Sequence, residues 1–178
     1  MKAERSLKSR ALQLLAQRDQ SRLELRRKLL RHERRKAAAA ADAGGSEGNA
    51  DTDVDPAEVD ALLDWLEANR FLSDARFAES RVHARQSRFG VQRIRQELAQ
   101  HAVALPPALA ETLAASELER AAAVRDRRFS QPPADASERA AQSRFLLGRG
   151  FAPDLIQRLM RQLAKRGADA TDGAAASD

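Results

Sequence analysis

Apolar side chains recur along this chain at spacings of three and four residues and almost never alternate, so its core must be built from helices. Leu7, Ala11, Leu14 and Leu15 fall on one helical face. Ser21-Arg22-Leu23-Glu24 has the spacing of a capping box, in which a hydroxyl and a carboxylate satisfy free N–H groups at a helix start, and Leu25 and Leu29 follow as a stripe. Asp55-Pro56 opens a further helix with Val59, Leu62, Leu63 and Leu66 on its apolar face and Trp65 beside them. The pattern then restarts. Ser73 caps a helix carrying Phe77, Ala78 and Val82; Gly90 caps one with Val91, Ile94 and Leu98; Pro106-Pro107 precede one with Leu109 and Leu113. It restarts again with Leu118, Ala122 and Phe129 on one helix. Ser137 caps a second, bearing Ala141, Phe145 and Leu146, and a third starts at Pro153 with Leu155, Ile156, Leu159 and Leu163. Gly150 suits a left-handed helix end.

This spacing predicts an all-α protein of nine helices in three tandem three-helix, helix-turn-helix-like repeats. Leu29, Leu98 and Leu146 stand at equivalent points, and Val103 and Phe151 each follow their leucine by five residues. The first repeat covers residues 1–69, interrupted by an insert at 33–55; the second covers 70–115; the third covers 116–166; a tail follows at 167–178. The insert and the tail carry few apolar side chains beyond alanine, which predicts disorder, because burial cannot offset the entropy of ordering them. A unit of under about 50 residues buries little core of its own and leans on its neighbours, so the expected arrangement is elongated and curved, with low barriers to bending between repeats.

Charge is distributed unevenly. Residues 1–36 carry 13 basic and 4 acidic side chains, residues 37–69 carry 9 acidic and none basic, and residues 70–101 carry 7 basic and 3 acidic. Positive charge concentrated in two segments suits a polyanion or an acidic protein surface. In the first segment Arg22, Arg26, Arg27, Lys28 and Arg31 surround the Leu25/Leu29 stripe; in the second Arg81, Arg85 and Arg88 form an i, i+4, i+7 row, followed by Arg93 and Arg95. Such rows repel themselves unless a negative surface meets them.

Signals for chemistry are missing. The chain has no cysteine, which excludes disulfides, thiolate metal sites and a cysteine nucleophile. His32, His83 and His101 have no partners at metal-ligand spacing, and no phosphate-binding glycine loop or hydrolase motif occurs. No catalytic, cofactor-binding or metal-binding residue is therefore expected. No apolar run approaches the roughly 20 residues needed to cross a bilayer, and no signal peptide is visible, which points to the cytoplasm and away from membranes. The basic second helices resemble those of helix-turn-helix DNA readers, but no base-reading set of Asn, Gln and Arg and no dimer element accompanies them. An autonomous, non-catalytic nucleic-acid-binding module is one reading of such a chain.

The run Asn69-Arg70-Phe71-Leu72-Ser73-Asp74-Ala75-Arg76-Phe77-Ala78, continued by Arg81, Arg85, Phe89-Gly90 and Arg93-Ile94-Arg95-Gln96-Glu97-Leu98, resembles the RecX family, bacterial recombination regulators that modulate the RecA recombinase. Ser21, Glu24, Leu25, Lys28 and Leu29 match the second helix of that family's first repeat, and Arg144-Phe145-Leu146-Leu147 with Arg149-Gly150-Phe151 matches the signature of its third. The resemblance spans residues 7–163. The chain departs from the family where Asn69-Arg70 replaces a glycine, where His32-Glu33 replaces a lysine-glycine-aromatic helix end, and in its acidic insert. The resemblance implies a monomeric regulator without cofactors that lies in the groove of the RecA–DNA filament. It implies inhibition of RecA's recombinase, ATPase and co-protease activities, with phosphate contacts to single- or double-stranded DNA. Arg144 and Arg149 then join the basic residues above as candidates for contact with RecA or DNA.

Overall fold

Helix starts fall where short polar side chains or prolines can satisfy or omit the first backbone N–H groups. The computed structural model describes residues 6–42 and 55–175, with side chains placed for 6–39 and 55–166. Nine helices and no strand occur among the described residues. Ser6 opens α1 (Leu7–Gln17) by accepting from Ser9 N at 3.2 Å. Ser21 opens α2 (Arg22–Asp42) by accepting from Glu24 N at 3.1 Å. Asp55 and Pro56 open α3 (Pro56–Ala68), and Ser73 opens α4 (Asp74–Arg85). Then come α5 (Val91–Ala99) behind Gly90, α6 (Pro107–Ala115), α7 (Glu117–Asp126), α8 (Ala136–Gly148) and α9 (Pro153–Ala175).

Several sequence expectations need correction. Asp135, not Ser137, caps α8, accepting from Glu138 N at 2.7 Å; Asp135 stands immediately before the first helical residue, Ala136, whereas Ser137 already lies within the first turn. Phe129 lies beyond the end of α7, where it packs edge-on against Phe145 with ring centroids 5.5 Å apart. The insert expected to be disordered from residue 33 is helical as far as Asp42, because Ala37–Ala41 has the highest helix propensity and only extends a helix already nucleated. Residues 43–54 lie outside the described residues. The tail expected to be disordered from Gly167 likewise continues α9 to Ala175. The capping box is half formed: Ser21 caps as expected, while the Glu24 carboxylate turns to Arg18 and Lys28.

Three helix ends share one device. Four residues after a buried leucine (Leu66, Leu98, Leu146) stands a residue with positive φ, namely Arg70 at 61°, Ala102 at 57° and Gly150 at 82°. A hydrophobic residue follows in each case: Phe71, Val103 and Phe151. At α3 and α8 the backbone bonds identify a Schellman closure: Phe71 N donates to Leu66 O at 2.9 Å and Phe151 N to Leu146 O at 3.2 Å. The register Leu29, Leu98, Leu146 read from the sequence corresponds to three fully buried side chains.

By contacts the chain divides into two compact units, residues 1–77 with 101–103, and residues 78–100 with 104–178. In the first, Ala11, Leu14, Leu25, Leu29, Val59, Leu63, Leu66 and Leu72 form the core. Buried Gln20 ties α1 to α2: its amide donates to Leu14 O at 2.7 Å and accepts from Lys28 Nζ at 2.9 Å. In the second, Ala121, Val124, Leu146, Phe151, Leu155, Ile156, Leu159, Met160 and Leu163 form the core.

The start of α5 is seated on the α8–α9 turn within the second unit. Gly90 N donates to Arg149 O at 3.0 Å, and a Cβ on Gly90 would lie 2.2 Å from Gly150 O. Gly90 has no side chain to cap α5, so the buried Glu117 of α7 does so, accepting from Val91 N at 2.8 Å. Arg120 closes the preceding turn. Its guanidinium donates to Gln86 O, Phe89 O and Leu113 O, each at 2.9 Å, and burial lowers its pKa against the opposing pull of Glu117.

Candidate interaction site

The basic residues on α2 meet carboxylates on α3. Asp60, Asp64 and Glu67 are spaced i, i+4, i+7, which puts them on one helical face. Arg22 contacts Asp64 and Glu67, both at 2.7 Å, and Arg26 forms a two-pronged pair with Asp60 at 2.6 and 2.9 Å. Desolvation opposes charge on Arg22, but its hydrogen bond to Asp64 and the field of both acids outweigh it and raise its pKa; the hydrogen bond to Asp60 raises that of Arg26 and lowers that of Asp60. Lys28 pairs with Glu24 at 2.8 Å. Burial pushes the Glu24 carboxyl up, yet hydrogen bonds from Arg18 and Lys28 more than reverse this and hold it at about 2. Of the five basic residues expected to face a partner here, Arg22, Arg26 and Lys28 are thus engaged internally. Arg27 and Arg31 are exposed and have no acidic partner among the described residues.

The expected Arg81/Arg85/Arg88 row is broken because α4 ends at Arg85, which leaves Arg88 in the following turn. Arg85 pairs with Glu97 of α5 at 2.9 Å, and Arg93 approaches the same carboxylate at 3.6 Å. Arg81 is half-buried. Arg88, Arg95 and Arg144 are exposed, and half-buried Arg149 stands at the C-cap of α8. None of these four has an acidic partner among the described residues.

The fold brings Arg88 and Arg149 together with two arginines that sequence reasoning missed. A cavity of about 250 Å³ in the second unit is lined by Arg88, Val124, Arg127, Arg128, Phe145 and Arg149. Arg127 donates to Ser87 O at 2.9 Å, which anchors its guanidinium beside the α4–α5 turn. Arg149 lies over Phe145 and Phe89, with centroid distances of 5.1 and 5.6 Å, and Arg88 lies over Phe89 at 5.7 Å. Cation–π contacts of this kind hold guanidinium groups in place while leaving their N–H edges available. The available signal was the dense Arg125-Asp126-Arg127-Arg128-Phe129 run, which mixes a buried arginine with exposed ones. Arg125 is buried, donating through Nε to Gln142 at 2.8 Å and pairing with Asp126 at 2.6 Å. No group of three or more His, Asp or Glu suited to a metal ion occurs among the described residues, and none of their helices is long and apolar enough to cross a membrane.

The chain is similar to known proteins over most of its length. Residues 73–104 match the family model of the second three-helix domain of RecX, and residues 115–160 match that of the third. It is 46% identical to the regulatory protein RecX of Ralstonia nicotianae, covering 93% of this chain and 89% of that protein. It is 48% identical to the regulatory protein RecX of Leptothrix cholodnii, covering 88% of each. The crystal structure of RecX from Lactobacillus salivarius shares the fold, with a TM-score of 0.60 and 17% identity over 89% of this chain and 94% of that one. The all-α architecture, the two matched three-helix domains and this extent of identity establish that the chain belongs to the RecX family of regulatory proteins.

Proposed function

We propose that this protein is a non-catalytic, monomeric cytoplasmic regulator of three tandem three-helix repeats (1–69, 70–115, 116–166) that binds the RecA–DNA filament and restrains RecA's recombinase, ATPase and co-protease activities. Family membership supports the regulatory role. The observation that carries the rest is the set of arginines left without acidic partners after folding. Arg27, Arg31, Arg95 and Arg144 are exposed, while neighbouring basic residues have been neutralised by α3 and by Glu97. Unneutralised guanidinium groups repel one another until phosphates or carboxylates of a partner meet them.

The test is RecA ATPase on single-stranded DNA, titrated with the wild-type protein and with the quadruple variant Arg27→Glu, Arg31→Glu, Arg95→Glu, Arg144→Glu. Inhibition by the wild type, lost in a variant of unchanged helicity, is the expected result. Full inhibition by the variant rejects these residues as the contact. Failure of the wild type to affect RecA, combined with steeply salt-dependent binding to DNA alone, replaces the proposal with autonomous nucleic-acid binding.

A further inference from the structure

The arginine-lined cavity of the second unit differs from the individually exposed arginines just described. It has a partly apolar floor, formed by buried Val124 and half-buried Phe145, beneath four guanidinium groups, and no carboxylate lines it. Arg88, Arg127, Arg128 and Arg149 have no acidic partner among the described residues. Their positions are fixed from within, by Ser87 O for Arg127 and by aromatic faces for Arg88, Arg128 and Arg149. A fixed ring of cations around an apolar depression of about 250 Å³ has room for one side chain, with acidic groups beside it.

The aromatic rings distinguish between two kinds of anion. A single-stranded nucleic acid gains much of its affinity by stacking bases on open aromatic faces. Phe89 already carries Arg85, Arg88 and Arg149 at 5.5–5.7 Å, and Phe145 carries Arg149 at 5.1 Å with Phe129 packed against it. The faces of these rings serve the guanidinium groups and offer no stacking platform to a base, while Phe145 still lines the cavity and can take a smaller apolar contact. A phosphate chain would also leave the Val124/Phe145 floor uncovered.

We infer that this cavity is a docking site for a short acidic peptide segment of a partner protein, with an aliphatic or aromatic anchor seated on Val124 and Phe145 and flanking carboxylates held by Arg88, Arg127, Arg128 and Arg149. The inference does not depend on the RecA reading, since it concerns a peptide ligand that the full-length protein binds on its own.

The probe is a fluorescein-labelled hexapeptide, Asp-Glu-Asp-Asp-Leu-Phe, followed by fluorescence anisotropy with the full-length chain. Three competitors are added: the same peptide ending in Ser-Ser, an inverted-charge peptide with lysines for the acids, and a hexathymidylate. The unlabelled parent peptide should displace the probe, the Ser-Ser version should compete at least about fivefold more weakly, and the other two should not compete at equal concentration. Amide shifts of the ¹⁵N-labelled wild type should move at Arg88, Val124, Arg128 and Phe145, a readout that needs no variant. The double variant Arg88→Gln, Arg128→Gln should weaken binding about tenfold with its melting temperature unchanged. Absence of binding by the wild type, equal competition by the Ser-Ser peptide, or stronger competition by the oligonucleotide would each overturn the inference, the last making the cavity a phosphate site.

Discussion

Alanine at Gly90 would set a Cβ 2.2 Å from Gly150 O, 2.5 Å from Gly150 C and 2.6 Å from Phe151 N. All three are backbone atoms, which cannot turn aside as the end of a flexible side chain can. Ordinary van der Waals contact begins near 3.4 Å, so the α8–α9 turn must retreat from α5 by roughly 1 Å. Overpacking of this kind costs about 1–3 kcal/mol. The retreat also strains the bond from Gly90 N to Arg149 O, and losing a bond of that kind costs about 0.5–1.5 kcal/mol. Gly90→Ala is therefore expected to destabilise the second unit by about 2–4 kcal/mol, against a return of under about 1 kcal/mol from the stiffer unfolded chain. For a unit of about a hundred residues this lowers the melting temperature by roughly 10–20 °C. Gly148→Ala is the control. Gly148 is the last residue of α8, and a Cβ there meets nothing within 4 Å, so alanine should raise stability by up to about 0.5 kcal/mol. Calorimetry of both variants checks the pair. A Gly90→Ala protein melting within about 2 °C of wild type would refute the argument that backbone contact, and not side-chain packing, makes this joint.

Two further outcomes follow from the first unit. The Glu24 carboxyl sits at about 2 when folded, below its ordinary value of 4.5, so its ion pairs stabilise fully above about pH 4.5 and are lost as pH falls toward 2. Arg18 is half exposed and screened, so the contribution is on the order of 1–2 kcal/mol; Glu24→Gln should flatten urea stability across that window and leave the wild type's acid limb steeper. Arg70 holds the left-handed position at the end of α3 at φ 61°, where a Cβ is unfavourable, so Arg70→Gly should stabilise by roughly 0.5–1 kcal/mol in denaturant titration. A loss of stability there would show that Arg70's side chain matters more than its backbone.

The helices were legible because their signals are local. Ser21, Asp55, Ser73 and Gly90 mark starts, and Leu66, Leu98 and Leu146, each followed five residues later by an apolar residue, mark ends. Where local reading failed, it did so through neighbours along the same helix. A helix already running through Arg31 carries the alanine run with it, and a carboxylate at residue 135 reaches the first turn before the serine at 137 can.

The charge pattern was legible only as a sum. Composition places 13 basic side chains in residues 1–36 and 9 acidic ones in residues 37–69, but says nothing of which meet. Folding lays the Asp60/Asp64/Glu67 face against Arg22 and Arg26, gives Arg85 to Glu97, and leaves Arg27 and Arg31 outward. It also gathers Arg88, from the turn after α4, with Arg127 and Arg128, from beyond α7, and Arg149, from the end of α8. Periodicity and capping depend on residues a few positions apart, so the amino-acid order determines them. Ion pairing and the shape of a cavity depend on distances in space between residues up to about sixty positions apart, and those are decided only when the helices pack.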